Sequence, residues 1–257
     1  HTAEEAAAHT VVHITQPGAY VLSGTLSAGQ IAVDLGEDAE EAPAAVVTLI
    51  LDGVDITCGV APAVIFYNVY ECGSDDEDTA SETVDTSAAG ANVLIADGTI
   101  NNVTGSYVAR IYDPDTVELS EDGTEVVDSK KLHKYDGAFY SKMSMNVDGG
   151  EAGTGVLNIT ADNEGLDTEL HLTINGGTIN ITSGNDGINT NEDNVSVTTI
   201  NGGSVNIQVT GETGEGDGID SNGYLVVNGG AVNAAACSSS GDAGIDASAG
   251  ITINGGT

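Results

Sequence analysis

The sequence predicts an all-β fold, a parallel β-helix (a solenoid) wound from coils of about 26 residues. Three observations predict it. The segments Ile174-Asn175-Gly176-Gly177, Ile200-Asn201-Gly202-Gly203, Val227-Asn228-Gly229-Gly230 and Ile253-Asn254-Gly255-Gly256 recur, with first glycines 26, 27 and 26 residues apart. A fixed period of this length marks a unit that buries its apolar face only by stacking on its neighbours. Around each turn the apolar residues alternate with polar ones, as Leu170, Leu172 and Ile174 do before it and Ile179 and Ile181 after it, which is the period of a half-buried strand. An acidic Asp-Gly step then returns once per repeat, giving three short strands per coil.

In chain order, 1–45 reads as an N-terminal cap and first coil, with Ile14 to Leu22, broken by Pro17-Gly18, as the lid that solenoids need over an open end. Val46 to Leu51 before Asp52-Gly53, and Val93 to Ala96 before Asp97-Gly98, read as early coils. Two insertions separate the early coils from the regular ones. Residues 73–90 carry Asp75, Asp76, Glu77, Asp78, Glu82 and Asp85 without a base, and 113–128, within an insertion reaching 134, hold seven acids without a base. Both are expected to project as loops or flaps. Regular coils fill 135–257, the last one stopping at Thr257 in mid-coil, so that 1–257 is a single domain. Val195 and Val197 stand one residue out of phase with Leu170 and Leu172, which predicts a bulge near Thr198-Thr199.

Charge narrows the function classes. The chain carries 40 acidic and 5 Lys or Arg residues, a net charge of −35. Phosphate binding needs Lys and Arg, so nucleic acid is not an expected partner, nor is an anionic membrane. No apolar run is long enough to span a bilayer. Hard divalent cations are the natural counterpart of such a surface, Ca²⁺ first. The first residue is His1 rather than Met, which fits a removed leader and a secreted or cell-surface protein. Cys58 and Cys72 flank two strand-like runs; in an exported chain they either form a disulfide or stay free, while Cys237 is expected to be buried as a small apolar residue.

Stacking turns a residue repeated once per coil into a row. Asn175, Asn201, Asn228 and Asn254 form one such row, and Asn180, Asn206 and Asn233 a second. In-register amides either hydrogen-bond along the stack as a structural ladder or, in the outward row, contact a sugar polymer. The acidic steps Asp136-Gly137, Glu164-Gly165-Leu166-Asp167, Asp186-Gly187-Ile188-Asn189, Asp217-Gly218-Ile219-Asp220 and Asp242…Asp246 form the third. Carboxylates stacked about 5 Å apart repel. Either a cation relieves this, with Glu164, Asp167, Asp186, Asn189, Asp217, Asp220, Asp242 and Asp246 as candidate ligands, or these residues only cap turns. Lys130, Lys131 and Lys134 are expected to neutralise the acids of the second insertion. Lys142 lies in the helix proper, either in a salt bridge or as a general base toward an acidic sugar. The five histidines do not cluster, and no nucleophile elbow or phosphate loop is present.

The blocks Pro17-Gly18-Ala19-Tyr20-Val21-Leu22, Leu49-Ile50-Leu51-Asp52-Gly53-Val54 and Asp136-Gly137-Ala138-Phe139-Tyr140-Ser141-Lys142, followed by the Asp-Gly-Ile repeats, resemble in content and order a family of bacterial secreted carbohydrate-binding proteins. The resemblance implies a right-handed parallel β-helix similar to family 9 polysaccharide lyases, bound calcium, and affinity for plant cell-wall polysaccharides, acidic ones included. The resulting expectation is a calcium-stabilised protein that binds polysaccharide without cleaving it. Two rivals make other forecasts: a calcium-dependent lyase with Lys142 as base, and an adhesin stalk or filament subunit that self-associates end to end through its open C-terminal coil.

Overall fold

The computed structural model describes residues 1–112, 117–120, 122–124, 126–128, 131–211, 216–239 and 241–257. The chain is all-β, with two large parallel sheets. The first has eight strands in strict chain order: Thr10–Ile14, Gly29–Asp34, Val64–Asn68, Gly137–Ser141, Glu164–Thr168, Ile188–Thr190, Ile219–Ser221 and Ile245–Ala247. The second has thirteen strands in two columns. The eleven-residue strand Val47–Thr57 joins the columns, since its first half pairs with Ala91–Ile95 and its second half with Ile100–Gly105. In the later repeats an Asn-Gly-Gly turn separates the columns. Its second glycine, Gly177, sits at φ +85°, a conformation that side chains disfavour.

Burial follows the sequence alternation. Leu166, Ile188 and Ile219 stack in one register and are fully buried, as are Leu172, Ile174, Ile179 and Val205 on the other sheet. Apolar residues of both sheets meet in one continuous core between them. A row of small hydroxyl residues lies inside as well: Ser141, Thr168, Thr190 and Ser221 pair in register and are fully buried, with Thr190 Oγ1 2.9 Å from Ser221 Oγ.

No bulge occurs at Thr198-Thr199. Leu172 pairs with Thr198, Thr173 with Thr199 and Ile174 with Ile200 without a shift. Thr198 replaces a leucine in the inward row and is fully buried. Its hydroxyl lies 3.2 Å from Thr190 Oγ1, so the polar group is satisfied inside and the ladder stays regular. The three cysteines are free, Cys58 and Cys237 buried and Cys72 half-buried, so the disulfide alternative falls away.

The two insertions differ. Residues 73–90 contain one short 3₁₀ turn, Glu77–Thr79, and lie across the outside of one column of the second sheet. Thr86 Oγ1 donates to Asn146 Oδ1 at 2.8 Å and sits 2.7 Å from Thr173 Oγ1, while Thr252 Oγ1 donates to Glu82 Oε2 at 2.6 Å. The described part of the second insertion is an antiparallel ribbon rather than a loop. Lys131–Tyr135 pairs with Val108–Tyr112, and Val126–Asp128 with Glu118–Leu119. Residues 113–116, 121, 125, 129 and Lys130 lie outside the described residues.

Candidate functional site: an acidic groove on the first sheet

Each acidic step enters or crosses a strand of the first sheet, and parallel register aligns the steps into two rows. The inner strand positions pair Tyr140 with Asp167, Asp167 with Asn189, Asn189 with Asp220, and Asp220 with Asp246. Three residues earlier, the backbone bonds Gly165 N to Asp186 O and Gly187 N to Asp217 O, both 3.0 Å, align Glu164, Asp186 and Asp217. The glycine between the rows has a packing reason. A Cβ on Gly165 or Gly187 would lie 2.4 or 2.6 Å from the carbonyl oxygen of the next repeat, so only glycine lets the turns stack.

These rows border a groove of about 970 Å³ whose lining includes Glu164, Asp186, Asn189, Asp217, Asp220 and Asp242. Asp217, Asp220 and Asp246 each bring a carboxylate oxygen within 4.8 Å of the others. Glu164 and Asp167 are 2% and 1% exposed, and Asp186 and Asn189 are also buried. Some oxygens have partners: Asp186 Oδ1 accepts from Asp217 N at 2.6 Å, Asp242 Oδ2 from Gly216 N at 2.8 Å, and Asp167 Oδ1 from Asn191 Nδ2. Among the described residues, Glu164 Oε2 and Asn189 Oδ1 are buried without a hydrogen-bond partner. A buried unsatisfied acceptor is costly, and oxygen donors of this kind suit a hard cation rather than a thiolate- or imidazole-preferring metal.

The electrostatics agree with the geometry. Burial, with Asp167 nearby, holds Glu164 well above the usual carboxylate range. Burial and Glu169 push Asp167 up to about 8, and burial with Asp220 and Asp217 pushes Asp186 up to about 7. Asp220 reaches about 6 through burial and the charges of Asp217 and Asp246. Such a set takes up either protons or a cation.

Among the described residues, Lys134 and Lys142 line the groove. Lys142 Nζ lies 2.9 Å from Glu40 Oε1 and is half exposed, so it stands in a salt bridge. Lys134 was expected among the acids of its own insertion; instead the ribbon delivers it to the groove, with Nζ 2.8 Å from Asp136 Oδ2. Burial lowers the Lys134 pKa, but Glu164, Asp136 and Asp167 outweigh that and raise it to about 12. Tyr135 and Tyr140 line the same groove with ring centroids 5.0 Å apart, and Tyr67 packs edge-on against Tyr135. The repeat pattern gives no sign of Lys134 or Tyr135, because both enter from a non-repeating ribbon.

The asparagine rows lie away from the groove, on the second sheet. Asn201 Nδ2 donates to Asn175 Oδ1, Asn228 to Asn201 and Asn254 to Asn228, at 2.8–2.9 Å. The row of Asn180, Asn206 and Asn233 is a second ladder, and it continues through Asn158 to Asn102.

Residues 8–257 match the model of a family described as carbohydrate-binding domain-containing protein. A protein of that same description from Acetivibrio thermocellus is 29% identical over 167 residues, which is 65% of this chain and 43% of that protein. The chain therefore spans less than half the length of this relative. Among solved structures, the polysaccharide lyase-like protein from C. thermocellum, in a gadolinium derivative, is similar over 95% of this chain and 85% of its own, with TM-score 0.57 and 22% identity. At that identity the likeness concerns the fold.

Proposed function

The chain belongs to the family of carbohydrate-binding domain-containing proteins, and from that premise we propose that it is an extracellular, calcium-stabilised, right-handed parallel β-helix that holds polysaccharide without cleaving it. The handedness follows from the near-universal right-handed crossover between parallel strands of one sheet. The observation that carries the calcium reading is the pair of carboxylate rows in one groove, with unpartnered Glu164 Oε2 and Asn189 Oδ1 buried among them. Ca²⁺ accepts six to eight oxygen ligands with flexible geometry, which suits a mixed set of buried and exposed acids. Asp217, Asp220 and Asp246, whose carboxylate oxygens lie within 4.8 Å of one another, would hold one ion, and Glu164, Asp186 and Asn189, on the preceding strands of the same rows, would be ligands of another.

A second reading is a lyase. It is favoured by the presence of both Lys142 and Lys134 on one groove, where a base and a cation for a substrate carboxylate would be needed. The non-cleaving reading is supported by Lys142, which is already paired with Glu40. One experiment separates them. Wild type and Lys142→Ala are incubated with polygalacturonate in calcium, following absorbance of unsaturated uronates, and in parallel their retention on immobilised neutral and acidic polysaccharides is measured. Retention without product, unchanged in Lys142→Ala, is the expected result. Product release lost by orders of magnitude in Lys142→Ala, with retention intact, makes the protein a lyase. Retention on no polysaccharide overturns the binding reading.

A further inference from the structure

The groove on the first sheet already holds one ammonium group, and the chain supplies it. Lys134 Nζ lies 2.8 Å from Asp136 Oδ2, and its charge bears on Glu164 and Asp167. Parallel register repeats these three positions along the groove. Glu164 N donates to Asp136 O, so Asp136 heads the outer row that continues through Glu164, Asp186 and Asp217. Asp167 stands before Asn189 and Asp220 in the inner row. Two strands beyond the lysine, the same three positions are therefore Asp186, Asp217 and Asp220. Among the described residues, Lys134 and Lys142 are the basic residues lining the groove, and Lys142 is held by Glu40 at 2.9 Å.

That stretch is short of donors. Asp217, Asp220 and Asp246 converge, each with a carboxylate oxygen within 4.8 Å of the others. A primary ammonium has three N–H donors and no acceptor, so it can bond three convergent carboxylates at once. Between there and Lys134, Glu164 Oε2 and Asn189 Oδ1 are buried acceptors without a hydrogen-bond partner, on residues that line the same groove. A volume of about 970 Å³ is far more than a metal ion fills and suits an extended ligand. At the Lys134 end the rings of Tyr135 and Tyr140, with centroids 5.0 Å apart, add apolar surface of the kind a sugar ring packs on.

The geometry points to this groove as the binding site of a cationic amino-sugar polymer, glucosamine units with free, protonated amino groups, laid along the stacking axis. The inference rests on the carbohydrate-binding reading above and names a substrate class for the groove. Lys134 is the first member of an ammonium row, and the polymer continues that row over Asp186, Asp217 and Asp220. Charge selects the occupant. A polyuronate approaching a protein of net charge −35 is repelled, and a neutral sugar leaves the crowded carboxylates uncompensated, whereas each ammonium group offsets one. Spacing supports it too. The acids return once per strand, about 4.8 Å apart, and an extended β-linked sugar chain presents its substituents at a regular step of comparable length. An ammonium group and a calcium ion call on the same carboxylates of Asp217, Asp220 and Asp246, so the two compete there.

The test is calorimetric titration in chelator, so that no calcium ion competes, with oligomers of equal length: glucosamine, N-acetylglucosamine, β-linked glucose, galacturonate and lysine. It uses wild type, the groove variant Asp220→Asn/Glu192→Gln and the control Asp55→Asn/Asp162→Asn, which makes the same charge change at exposed positions outside the groove. Each is checked for its melting transition. Wild type should bind the glucosamine oligomer at least about tenfold more tightly than its N-acetylated counterpart, which lacks the ammonium group. The groove variant should lose about tenfold in glucosamine binding and the control less than about twofold. If the double groove variant does not fold, Glu192→Gln alone carries the forecast at about threefold. Equal losses in the folded groove and control variants overturn the site, because the attraction is then that of the whole molecule's charge. A lysine oligomer that binds as tightly as the glucosamine oligomer, with the same loss in the groove variant, overturns the amino sugar in favour of a basic peptide. Binding of the other sugar oligomers without glucosamine overturns the amino-sugar class and leaves the carbohydrate reading intact. Wild type that binds no sugar oligomer overturns both.

Discussion

Asn180 donates from Nδ2 to Oδ1 of Asn158 at 2.9 Å, across 22 residues of chain, although the following steps of the same ladder, to Asn206 and Asn233, span 26 and 27. The ladder is thus a property of register in space, and a shorter repeat joins it without disturbance. An inner rung should matter more than an end rung. Asn180→Ala removes two ladder bonds and Asn233→Ala one, at about 1 kcal/mol net per bond. Urea unfolding should therefore place Asn180→Ala below Asn233→Ala in midpoint, with unchanged slope. Equal midpoints would mean the amides gain nothing from one another.

That unequal spacing explains what was readable in the chain. Asn180, Asn206 and Asn233 are visible because each follows an Asn-Gly-Gly turn at a nearly fixed interval, while Asn158 follows Gly155-Val156-Leu157 with no such turn. Asn102 is hidden further, 56 residues before its partner, because an insertion intervenes. The inward rows were legible for the same reason as the turns: alternation of Leu, Ile and Val with polar residues needs no partner strand to be recognised. Thr198 breaks that rule. A buried threonine reads as outward until its hydroxyl partner Thr190 is brought beside it by folding. The acidic rows were visible as repeats, yet the lysine and tyrosines facing them arrive from a ribbon that has no periodicity.

Ile188 and Ile219 stack directly on one another and are fully buried between the acidic rows and the core. Replacing either by Asp places a carboxylate in the apolar core. The cost is several kcal/mol, comparable to the whole stability of a domain. Ile188→Asp and Ile219→Asp should yield protein without a cooperative melting transition, whereas Ile188→Val should lose only about 1 kcal/mol. A near-native melt for both Asp variants would contradict the inward placement of this row.

The groove also dictates a pH dependence. Asp167, Asp186 and Asp220 have folded-state values of about 8, 7 and 6, all above the unfolded value. Between pH about 4 and 8 the folded chain therefore keeps protons that the unfolded chain has released, and stability falls as pH rises through this window. Buried His171 acts oppositely. Its value is lowered to about 4, so stability is lost as pH falls below the unfolded value, but one histidine faces three carboxylates. In chelator the melting temperature should be higher near pH about 5.5 than near about 8. Calcium replaces the protons, so at 100 times its dissociation constant one ion should add about 2.7 kcal/mol at the higher pH and less at the lower. Identical melts in chelator, magnesium and calcium at both pH values would remove the cation from the account.

Lys134 is a cation that the chain itself supplies to the groove. Its ammonium sits 2.8 Å from Asp136, itself buried, and its charge bears directly on Glu164 and Asp167. Removing it leaves these acids facing one another with one positive charge fewer. Breaking a buried pair from one side costs on the order of 3 kcal/mol, because the remaining charge keeps its desolvation and loses its partner. Lys134→Ala should therefore be destabilised by roughly that amount in chelator. A divalent ion in the groove supplies much of the missing charge, so the loss should shrink in millimolar calcium, and the gain on adding calcium should exceed that of wild type. Lys134→Met keeps the aliphatic stem and controls for packing, since the stem of a lysine also covers apolar surface. Urea unfolding of the three proteins, with and without calcium, reads this coupling as a difference of differences. A Lys134→Ala penalty that is the same in both conditions would mean that the lysine and the bound cation act on separate parts of the groove.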